Sequence, residues 1–281
     1  MTTADDHVLA RDLAVAAGRL LLELRGRGGD RDALRKSGDR LSHEFLAAEL
    51  AARRPGDTVL SEEGIDDKAR LAAQRVWIVD PLDGTREFGE EGRTDWAVHV
   101  ALWERGGSEM GRLTVGAVAL PAQGRVLSTL LARGDDPPEP PAHGGLPAPH
   151  TPRPPAGGTP APHTPWEPLR LVVSRSRAPR LVRDVAAKLN AELVPCGSAG
   201  AKVATVVTGE TDAYLHAGGF YEWDTAAPVA VAQAAGYHAS RIDGGELTYN
   251  RENPLLPDIL VCRPVIAGLL LAAIREATHA I

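Results

Sequence analysis

Apolar residues recur at helical spacing over the first fifty positions of the chain. One helix is predicted over residues 7–25, and a run of glycines beginning at Gly26 ends it. A second helix is predicted over residues 40–52, where Phe45 belongs to one apolar stripe. Asp39 directly precedes this helix and reads as its N-cap. The chain therefore opens with two amphipathic helices.

Strand-like segments follow these helices. The predicted strands span residues 58–61, 75–80, 95–102, 113–120 and 126–131. The last two are joined through a turn at Gln123-Gly124. The first half of the chain is therefore predicted to be two helices followed by an antiparallel sheet.

In the second half, strands alternate with helices. Strands are predicted over residues 169–174, 191–194 and 212–216, and helices over 178–189, 198–208 and 225–235. Asp224 directly precedes the last of these helices and reads as its N-cap. The alternation is typical of an α/β layer with mixed strands, so the fold class is predicted to be mixed α/β.

A proline-rich segment separates the two halves. Residues 134–168 hold 13 of the 22 prolines, and the hexamer Pro-Ala-Pro-His-Thr-Pro occurs twice, at 147–152 and 160–165. Such a stretch buries little apolar area, which predicts a flexible, extended insertion. The histidines of this segment are compatible with a metal-binding tract, and its prolines with a Pro-x-x-Pro ligand for a partner domain. The loose spacing of the histidines favours a plain linker. The predicted division is 1–133, 134–168 and 169–281.

Composition and charge narrow the class of protein. The net charge of −6 and the sequence pI of about 5.9 argue against a binder of duplex nucleic acid, which needs a basic face. Cys196 and Cys262 have no metal-ligand spacing around them and are expected to be buried free thiols. The N-terminus is acidic, and the longest apolar run, 265–274, is half a membrane span. These features predict a cytoplasmic protein that does not enter a membrane.

The candidate chemistry lies at the end of the predicted strand 75–80. Asp80 ends the strand, Pro81 bends the chain, and Asp83 follows three residues later. Two carboxylates in this arrangement can face one point, where they would repel each other unless they share hard cations such as Mg²⁺. The amides of Gly84 and Thr85 can then cradle a phosphate. An Asp-Pro turn followed by an Asx turn is the structural alternative.

Other acidic residues favour the metal interpretation. Glu62-Glu63 follows a short strand 18 residues before Asp80, and Asp224 lies where a loop enters a helix. Two bound cations would neutralise the charge of a phosphate ester and generate hydroxide near neutral pH. The chain shows no nucleophilic Ser or Cys motif. A metal-dependent phosphatase is therefore the favoured class, ahead of a non-catalytic sensor, which would be expected to lack one of these acids.

Three segments together resemble one superfamily. They are Trp77-Ile-Val-Asp-Pro-Leu-Asp-Gly-Thr85, Glu62-Glu63 and Trp223-Asp224-x-Ala-Ala. They resemble the magnesium-dependent, lithium-sensitive sugar phosphatases, which include inositol monophosphatases, fructose-1,6-bisphosphatases and 3′(2′),5′-bisphosphate nucleotidases. The second half is similar to the CysQ-type nucleotidase branch, on the segments Val173-Ser-Arg-Ser176, 197–202, 221–228 and 241–250. The Leu-x-Tyr-Asn pattern ending at Asn250 weighs most against a plain inositol monophosphatase.

The resemblance implies a layered αβαβα sandwich whose N-terminal part carries most of a metal site with two to three Mg²⁺ ions. Glu62, Asp80 and the main-chain carbonyl of Leu82 would hold one ion. Asp80 would bridge to a second ion that Asp83 and Asp224 also bind. A third, looser ion would rest on Glu62 and on waters near Asp39.

Catalytic and substrate-binding roles also follow from the resemblance. Asp39 and Thr85 would orient and deprotonate the attacking water, with Glu62 as a further catalytic group. The amides of Gly84 and Thr85 would hold the scissile phosphate. The remaining substrate contacts would come from Ser198, Lys202 and Asp224, with Arg175 as a weaker candidate.

Two departures from the family pattern affect these expectations. Lys36-Ser-Gly-Asp39 replaces the usual Thr-x-Ala-Asp, and His216 stands where nucleotide-selective relatives can carry Arg. The activity implied is hydrolysis of 3′-phosphoadenosine 5′-phosphate to AMP and phosphate, which clears a by-product of sulfate assimilation. The alternative is an inositol-1-phosphate or fructose-1,6-bisphosphate phosphatase on the same metal site. The partner is a small phosphate ester, and a homodimer is compatible with the resemblance.

Overall fold

Two long helices pair at the start of the chain. In the computed structural model, which describes residues 3–106, 111–130, 168–175 and 178–279, they are α1 (Ala4–Gly26) and α2 (Arg31–Arg53). Helix α1 confirms the first predicted helix. The predicted insertion lies outside the described residues except for Pro168, so the expectation for it stays a prediction.

The predicted start of the second helix is wrong. Helix α2 begins nine residues earlier, where the side chain of Asp30 accepts hydrogen bonds from the backbone N–H groups of Asp32 and Ala33. Asp39 consequently lies inside the helix and is not its N-cap. Gly38 also lies inside this helix, and a Cβ there would lie 2.8 Å from the ring of Phe88. Glycine at this position allows the close approach of α2 to its neighbour.

The first sheet lies against these helices. Its strands are β1 (Thr58–Ser61), β2 (Arg75–Asp83), β3 (Ala97–Glu104), β4 (Arg112–Leu120) and β5 (Arg125–Ser128), in that order. The four later strands are antiparallel as predicted, but β1 pairs with β2 in parallel. The connection between β1 and β2, which contains a 3-10 turn, allows this crossover. A short helix, α3 (Thr85–Gly89), follows β2.

The second sheet contains the remaining strands. These are β6 (Arg170–Ser174), β7 (Glu192–Cys196), β8 (Ala213–Tyr221), β9 (His238–Ser240) and β10 (Leu255–Cys262), in the order β7-β6-β8-β10-β9. Strand β6 pairs in parallel with β7 and β8, and β10 pairs antiparallel with β8 and β9. The expected mixed sheet is confirmed. Strands β9 and β10 were not predicted.

Four helices accompany this sheet. They are α4 (Arg180–Leu189), α5 (Ala199–Val207), α6 (Glu222–Ala234) and α7 (Pro264–His279). The first three confirm predicted helices, although α6 begins earlier than predicted. None of the helices among the described residues is both long and apolar enough to cross a membrane.

The elements stack in five layers. Helices α1 and α2 cover the outer face of the first sheet, α5 and α6 lie between the two sheets, and α4 and α7 cover the outer face of the second sheet. This arrangement confirms the expected αβαβα sandwich. Helix α6 packs on β2, β3 and β4, so its N-terminal turn lies close to the end of β2. The division into two subdomains stays a prediction. Of the two free cysteines, Cys262 is buried and Cys196 is half-buried.

Candidate active site

Glu62 and Asp80 lie side by side because of the parallel pairing of β1 and β2. The register places Ser61 of β1 opposite Val79 of β2. The residue that follows each of them, Glu62 and Asp80, therefore carries a carboxylate at the same edge of the sheet. Asp80 is 1% exposed, and its Oδ1 accepts a hydrogen bond from the backbone N–H of Leu82 at 3.0 Å. Its Oδ2 is buried and has no hydrogen-bond partner among the described residues. Such an orphaned oxygen fits a bound cation.

Asp83 faces the same region after an irregularity in the β2–β3 pairing. Its Oδ2 accepts a hydrogen bond from the backbone N–H of Gly200 at 2.7 Å and lies 3.2 Å from Nε2 of His99. Gly84 follows with φ of 85°, a left-handed conformation that favours glycine. Helix α3 then begins at Thr85, so the amides of both predicted phosphate-binding residues lie beside the carboxylates.

Asp224 reaches the cluster from the first turn of α6. The helix begins at Glu222 with Tyr221 as its N-cap, so the prediction of Asp224 as N-cap is wrong. Asp224 instead completes a capping box, in which its Oδ2 accepts a hydrogen bond from the backbone N–H of Tyr221 at 2.7 Å. The four predicted metal ligands with carboxylate side chains therefore come together from the end of β1, from β2 and from α6.

The charges of these carboxylates oppose one another. Burial, and then the charges of Glu62, Asp83 and Asp224, raise the pKa of Asp80 well above its usual value. Burial and the charges of Asp224 and Asp83 raise the pKa of Glu62 to about 7. Burial and the charge of Asp83 raise the pKa of Asp224 to about 6. A group of acids that disfavour their own ionisation is an environment that a divalent cation stabilises.

Asp83 is the exception within the cluster. Burial acts to raise its pKa, but the nearby His99 and Lys202 and the N–H of Gly200 outweigh burial and hold the pKa below its usual value. Asp80, Asp83 and His99 also offer ligand atoms within 4.8 Å of one another. The residues present therefore fit a cation bound mainly by oxygen, and Asp83 is the most readily ionised carboxylate of the cluster.

Asp39 and Thr85 contact each other, as predicted for a water-activating pair. The hydroxyl of Thr85 lies 3.3 Å from Oδ1 of Asp39 and 3.1 Å from the carbonyl oxygen of Leu82, and donates towards both. Burial and the charge of Glu63 raise the pKa of Asp39 to about 6, although the Thr85 hydroxyl opposes this shift. Asp39 can therefore accept a proton near neutral pH.

A cavity of about 260 Å³ opens beside the carboxylates. Its lining combines two of the predicted metal ligands with several cationic and hydroxyl side chains: Asp83, Gly84, Arg86, Glu87, Ser174, Arg175, Gly197, Ser198, Ala199, Lys202, Phe220 and Asp224. The cavity thus adjoins the carboxylate cluster and is lined by the predicted substrate-binding residues other than Thr85.

Most polar groups of this lining already have partners. Ser198 is the N-cap of α5 and accepts from the N–H of Ala201, and Lys202 donates to the carbonyl oxygens of Gly197 and Ser198. Arg175 pairs with Glu87 and Glu90 across the cavity.

Arg86 and His216 differ from these residues. Arg86 is exposed, and its side chain makes no hydrogen bond or ion pair within the described part of the chain. His216 packs its ring 4.3 Å from the ring of Phe220, and burial, then the charge of Lys202, lower its pKa to about 4. His216 contacts the wall of the cavity as a neutral ring.

The sequence reasoning missed three residues that support the site. His99 and Gly200 contact Asp83, and the carboxylate of Glu222 accepts hydrogen bonds from the N–H groups of Asn250 and Arg251 behind Asp224. A signal existed for His99, because it is the one polar residue between the apolar positions Val98 and Val100 of a predicted strand. For Glu222 no local signal exists, because its partners lie 28 residues away or more.

Sequence comparison identifies the protein family to which this fold belongs. The model of the inositol monophosphatase family matches residues 8–279. The chain belongs to this family.

Particular relatives narrow the comparison. A 3′-phosphoadenosine 5′-phosphate phosphatase from Mycobacterium leprae is 50% identical over 277 residues, which cover 96% of this chain and 94% of the relative. A protein of the same name from Mycobacterium bovis is 48% identical over 93% of this chain and 90% of the relative. The 3′(2′),5′-bisphosphate nucleotidase CysQ of Shigella flexneri is 30% identical over 79% of this chain and 82% of the relative.

Solved structures agree on the fold. The structure of CysQ from Bacteroides thetaiotaomicron superposes with a TM-score of 0.69 at 26% identity, covering 92% of this chain and 97% of that chain. Inositol monophosphatase II of Staphylococcus aureus superposes with a TM-score of 0.72 at 18% identity over 99% of both chains. At that identity the second likeness concerns the fold alone.

Proposed function

We propose that this protein is a Mg²⁺-dependent phosphatase that hydrolyses 3′-phosphoadenosine 5′-phosphate to AMP and inorganic phosphate. The observation that carries the proposal is the likeness, at 50% and 48% identity over nearly the whole chain, to two proteins of that named activity. A buried carboxylate cluster beside a cavity is the site that such an activity requires. A cytoplasmic location and a homodimer stay predictions.

The proposed metal ligands are the oxygen atoms of the cluster. Glu62, Asp80 and the carbonyl of Leu82 would hold one Mg²⁺, and Asp80, Asp83 and Asp224 a second. A third ion would rest on Glu62 and on waters near Asp39. Bound Mg²⁺ would supply neutralisation of the phosphate ester and a lowered pKa of water. All these donors are oxygens, the ligand type that Mg²⁺ prefers.

The chain's own residues would position the reacting groups. The amides of Gly84 and Thr85 would hold the scissile phosphate, and Asp39 and the Thr85 hydroxyl would orient a water behind it. The water oxygen forms a bond to phosphorus and Asp39 accepts one proton of the water. The bond from phosphorus to the 3′-oxygen breaks with its electron pair on that oxygen, which takes a proton from solvent water to become the 3′-hydroxyl of AMP. The pKa of Asp39, at about 6, suits this transfer near neutral pH.

The rest of the nucleotide would occupy the cavity. Ser198, Lys202 and Asp224 border it, as does Arg175, which is held by two glutamates. Arg86 is exposed at the rim, and its side chain forms no ion pair or hydrogen bond among the described residues, so we assign it the 5′-phosphate. Arginine suits this role because its guanidinium forms paired hydrogen bonds with phosphate oxygens.

The test is a kinetic comparison in the presence of Mg²⁺. The substrates are 3′-phosphoadenosine 5′-phosphate, inositol-1-phosphate and fructose-1,6-bisphosphate, and phosphate release is measured for each. We expect the highest kcat/KM with the bisphosphate nucleotide. A higher kcat/KM with inositol-1-phosphate or fructose-1,6-bisphosphate would replace the proposed substrate with the sugar phosphate while leaving the metal site in place.

A further inference from the structure

We propose that His99 is a positioning residue that fixes Asp83 against the first turn of α6, so that Asp83 and Asp224 present their free oxygens to one cation. The inference rests on the metal-binding part of the proposed function and concerns a residue outside the predicted ligand set.

The imidazole of His99 spans the gap between the first sheet and α6. His99 lies in the middle of β3 and is 0% exposed. Its Nδ1 donates a hydrogen bond to the carbonyl oxygen of Trp223 at 3.1 Å, and its Nε2 lies 3.2 Å from Oδ2 of Asp83. Trp223 directly precedes Asp224. The His99 side chain therefore contacts both Asp83, a proposed metal ligand on the first sheet, and the backbone next to Asp224, a proposed metal ligand on α6.

The contacts of Asp83 leave one oxygen for a cation. The N–H of Gly200 donates a hydrogen bond to Oδ2, and Nε2 of His99 lies 3.2 Å from the same oxygen, an ion pair when both ring nitrogens carry protons. No described residue donates a hydrogen bond to Oδ1. The carboxylate is therefore held through Oδ2, which leaves Oδ1 available to a cation. Partners of this kind orient metal-binding carboxylates and tune the affinity of the site.

Gly200 provides the space that the imidazole occupies. A Cβ at Gly200 would collide with Nε2 of His99. Gly200 lies within helix α5, where alanine has the higher helix propensity. The absence of a side chain at Gly200 is therefore explained by the space that His99 needs, since the helical backbone does not require glycine at this position. This close approach is a second, independent sign that the position of the ring is specified.

A histidine that merely fills the core predicts different behaviour from a positioning residue. Loss of a core side chain lowers the stability of the whole fold and leaves the metal affinity of the folded fraction unchanged. Loss of a positioning group weakens metal binding in the folded protein, and it lowers kcat more than it raises KM for the substrate. Metal affinity is therefore the decisive measurement.

The first experiment replaces His99 by Leu in the full chain and measures Mg²⁺ binding by calorimetry without substrate. We expect the dissociation constant for Mg²⁺ to rise by about 10- to 100-fold, the usual effect of losing such a partner. The matched control is Val100→Ala, which opens a cavity on the same strand but contacts no carboxylate of the cluster. It should lower the melting temperature and leave Mg²⁺ affinity unchanged.

Two conservative variants separate the two contacts and serve if the leucine variant does not fold. In His99→Gln the amide reaches the position of Nε2 beside Asp83, and in His99→Asn it reaches the position of Nδ1 beside Trp223. We expect the glutamine variant to retain most of the Mg²⁺ affinity and the asparagine variant to lose more of it. Wild-type affinity in both would overturn the proposal.

A double-mutant cycle tests the contact with Gly200. Gly200→Ala alone should displace the ring and weaken Mg²⁺ binding as His99→Ala does. In the His99→Ala background the same change should cost nothing further, because the space is then free. Additive losses would overturn the assignment. A wild-type chain that binds Mg²⁺ but does not hydrolyse the bisphosphate nucleotide removes only the proposed function, and one that binds no Mg²⁺ overturns both.

Discussion

Asp80 and Asp83 are three residues apart, yet the surroundings of their charges are opposite. Asp80 is buried among other carboxylates, which raises its pKa, and one of its oxygens has no hydrogen-bond partner in the described part of the chain. Asp83 has His99, Lys202 and an N–H of the backbone around it, so its pKa is lowered. Without a cation, the charge of Asp80 therefore destabilises the fold, and the charge of Asp83 is accommodated.

This difference predicts opposite effects of two isosteric substitutions. Asp80→Asn should raise the melting temperature of the metal-free protein near pH 8, because it removes a disfavoured charge. Asp83→Asn should not raise it, because it removes a favoured charge. Both should lower kcat by about a thousandfold or more, since each would remove a ligand of the metal site. Thermal melts with a chelator and phosphatase assays with Mg²⁺ check this, and wild-type-like activity in Asp83→Asn would contradict the metal assignment.

The raised pKa values also predict a pH-dependent response to Mg²⁺. The pKa is about 7 for Glu62 and about 6 for Asp39 and Asp224, above the ordinary values of 4.5 and 3.8. The stability that these groups contribute is full below their ordinary values and is lost as the pH rises through about 6 to 7.

Bound Mg²⁺ should restore the stability that is lost above about pH 7. Below about pH 6 it should compete with protons for the same carboxylates. We therefore expect the rise in melting temperature on adding Mg²⁺ to be larger at about pH 8 than at about pH 5.5. Differential scanning fluorimetry at the two pH values measures this, with Asp80→Asn as the control that should reduce the difference. An equal rise at both pH values would contradict the assignment of these acids to a cation.

Arg86 predicts a specific change in substrate preference. We expect Arg86→Met to lower kcat/KM for 3′-phosphoadenosine 5′-phosphate by about tenfold, because a charge-assisted pair with phosphate is lost. The value for 3′-AMP, which lacks the 5′-phosphate, should change little. Arg112→Met, an exposed arginine at the start of β4, is the matched control. Equal losses for both substrates would place the 5′-phosphate elsewhere.

At the scale of elements, a buried network of hydrogen bonds connects the first turn of α6 to the segment around Asn250. Glu222 is 1% exposed and accepts hydrogen bonds from the N–H groups of Asn250 and Arg251 at 2.6 and 2.8 Å. Arg70, fully buried, donates to the side chain of Asn250 and pairs with Asp66. The Leu-x-Tyr-Asn segment thus contributes to the position of Asp224, although it lies outside the cavity beside the carboxylates.

Removing the carboxylate of Glu222, which accepts two of the network's hydrogen bonds, should lower the stability of the protein. We expect Glu222→Ala to lower the free energy of unfolding by about 2–3 kcal/mol, because two backbone N–H groups lose their acceptor. Urea denaturation measures the loss, and Mg²⁺ binding should weaken in the folded variant because Asp224 loses its support. Glu246→Ala, on the exposed loop before Tyr249, should be neutral. A neutral Glu222→Ala would show that the turn is held by other contacts.

The same elements show what the sequence could and could not predict. Strands β2, β3 and β4 were predicted because their apolar runs are long and continuous. The early part of α2 was missed because Lys36-Ser-Gly38 reads as a break, whereas Gly38 is required by the packing of Phe88. Asp80 and Asp83 were predicted because their spacing carries a local signal, whereas the metal-binding roles of Glu62 and Asp224 came from the resemblance to the family. The support from His99, Gly200 and Glu222 depends on contacts between distant segments, which no local pattern encodes.

At the scale of the whole molecule, the site depends on elements from both halves of the chain. Glu62 follows β1 and Asp80 and Asp83 lie in the last part of β2, whereas Asp224 lies in the first turn of the helix between the sheets. Helices α5 and α6 share one hydrophobic core with the first sheet. The position of the site is therefore fixed by the packing of the sandwich, and every predicted site residue lies outside the proline-rich segment 134–168.

This arrangement predicts that the proline-rich segment is dispensable for catalysis. We expect a variant in which residues 137–165 are replaced by about eight Gly and Ser residues, a flexible linker, to keep kcat/KM within about twofold of the wild type. Its melting temperature should change little, because the segment offers few apolar residues for a core. Phosphatase assays and thermal melts on the two chains measure both effects. If the variant melted like the wild type but no longer hydrolysed the bisphosphate nucleotide, the segment would belong to the active site, and the site drawn from the described residues would be incomplete.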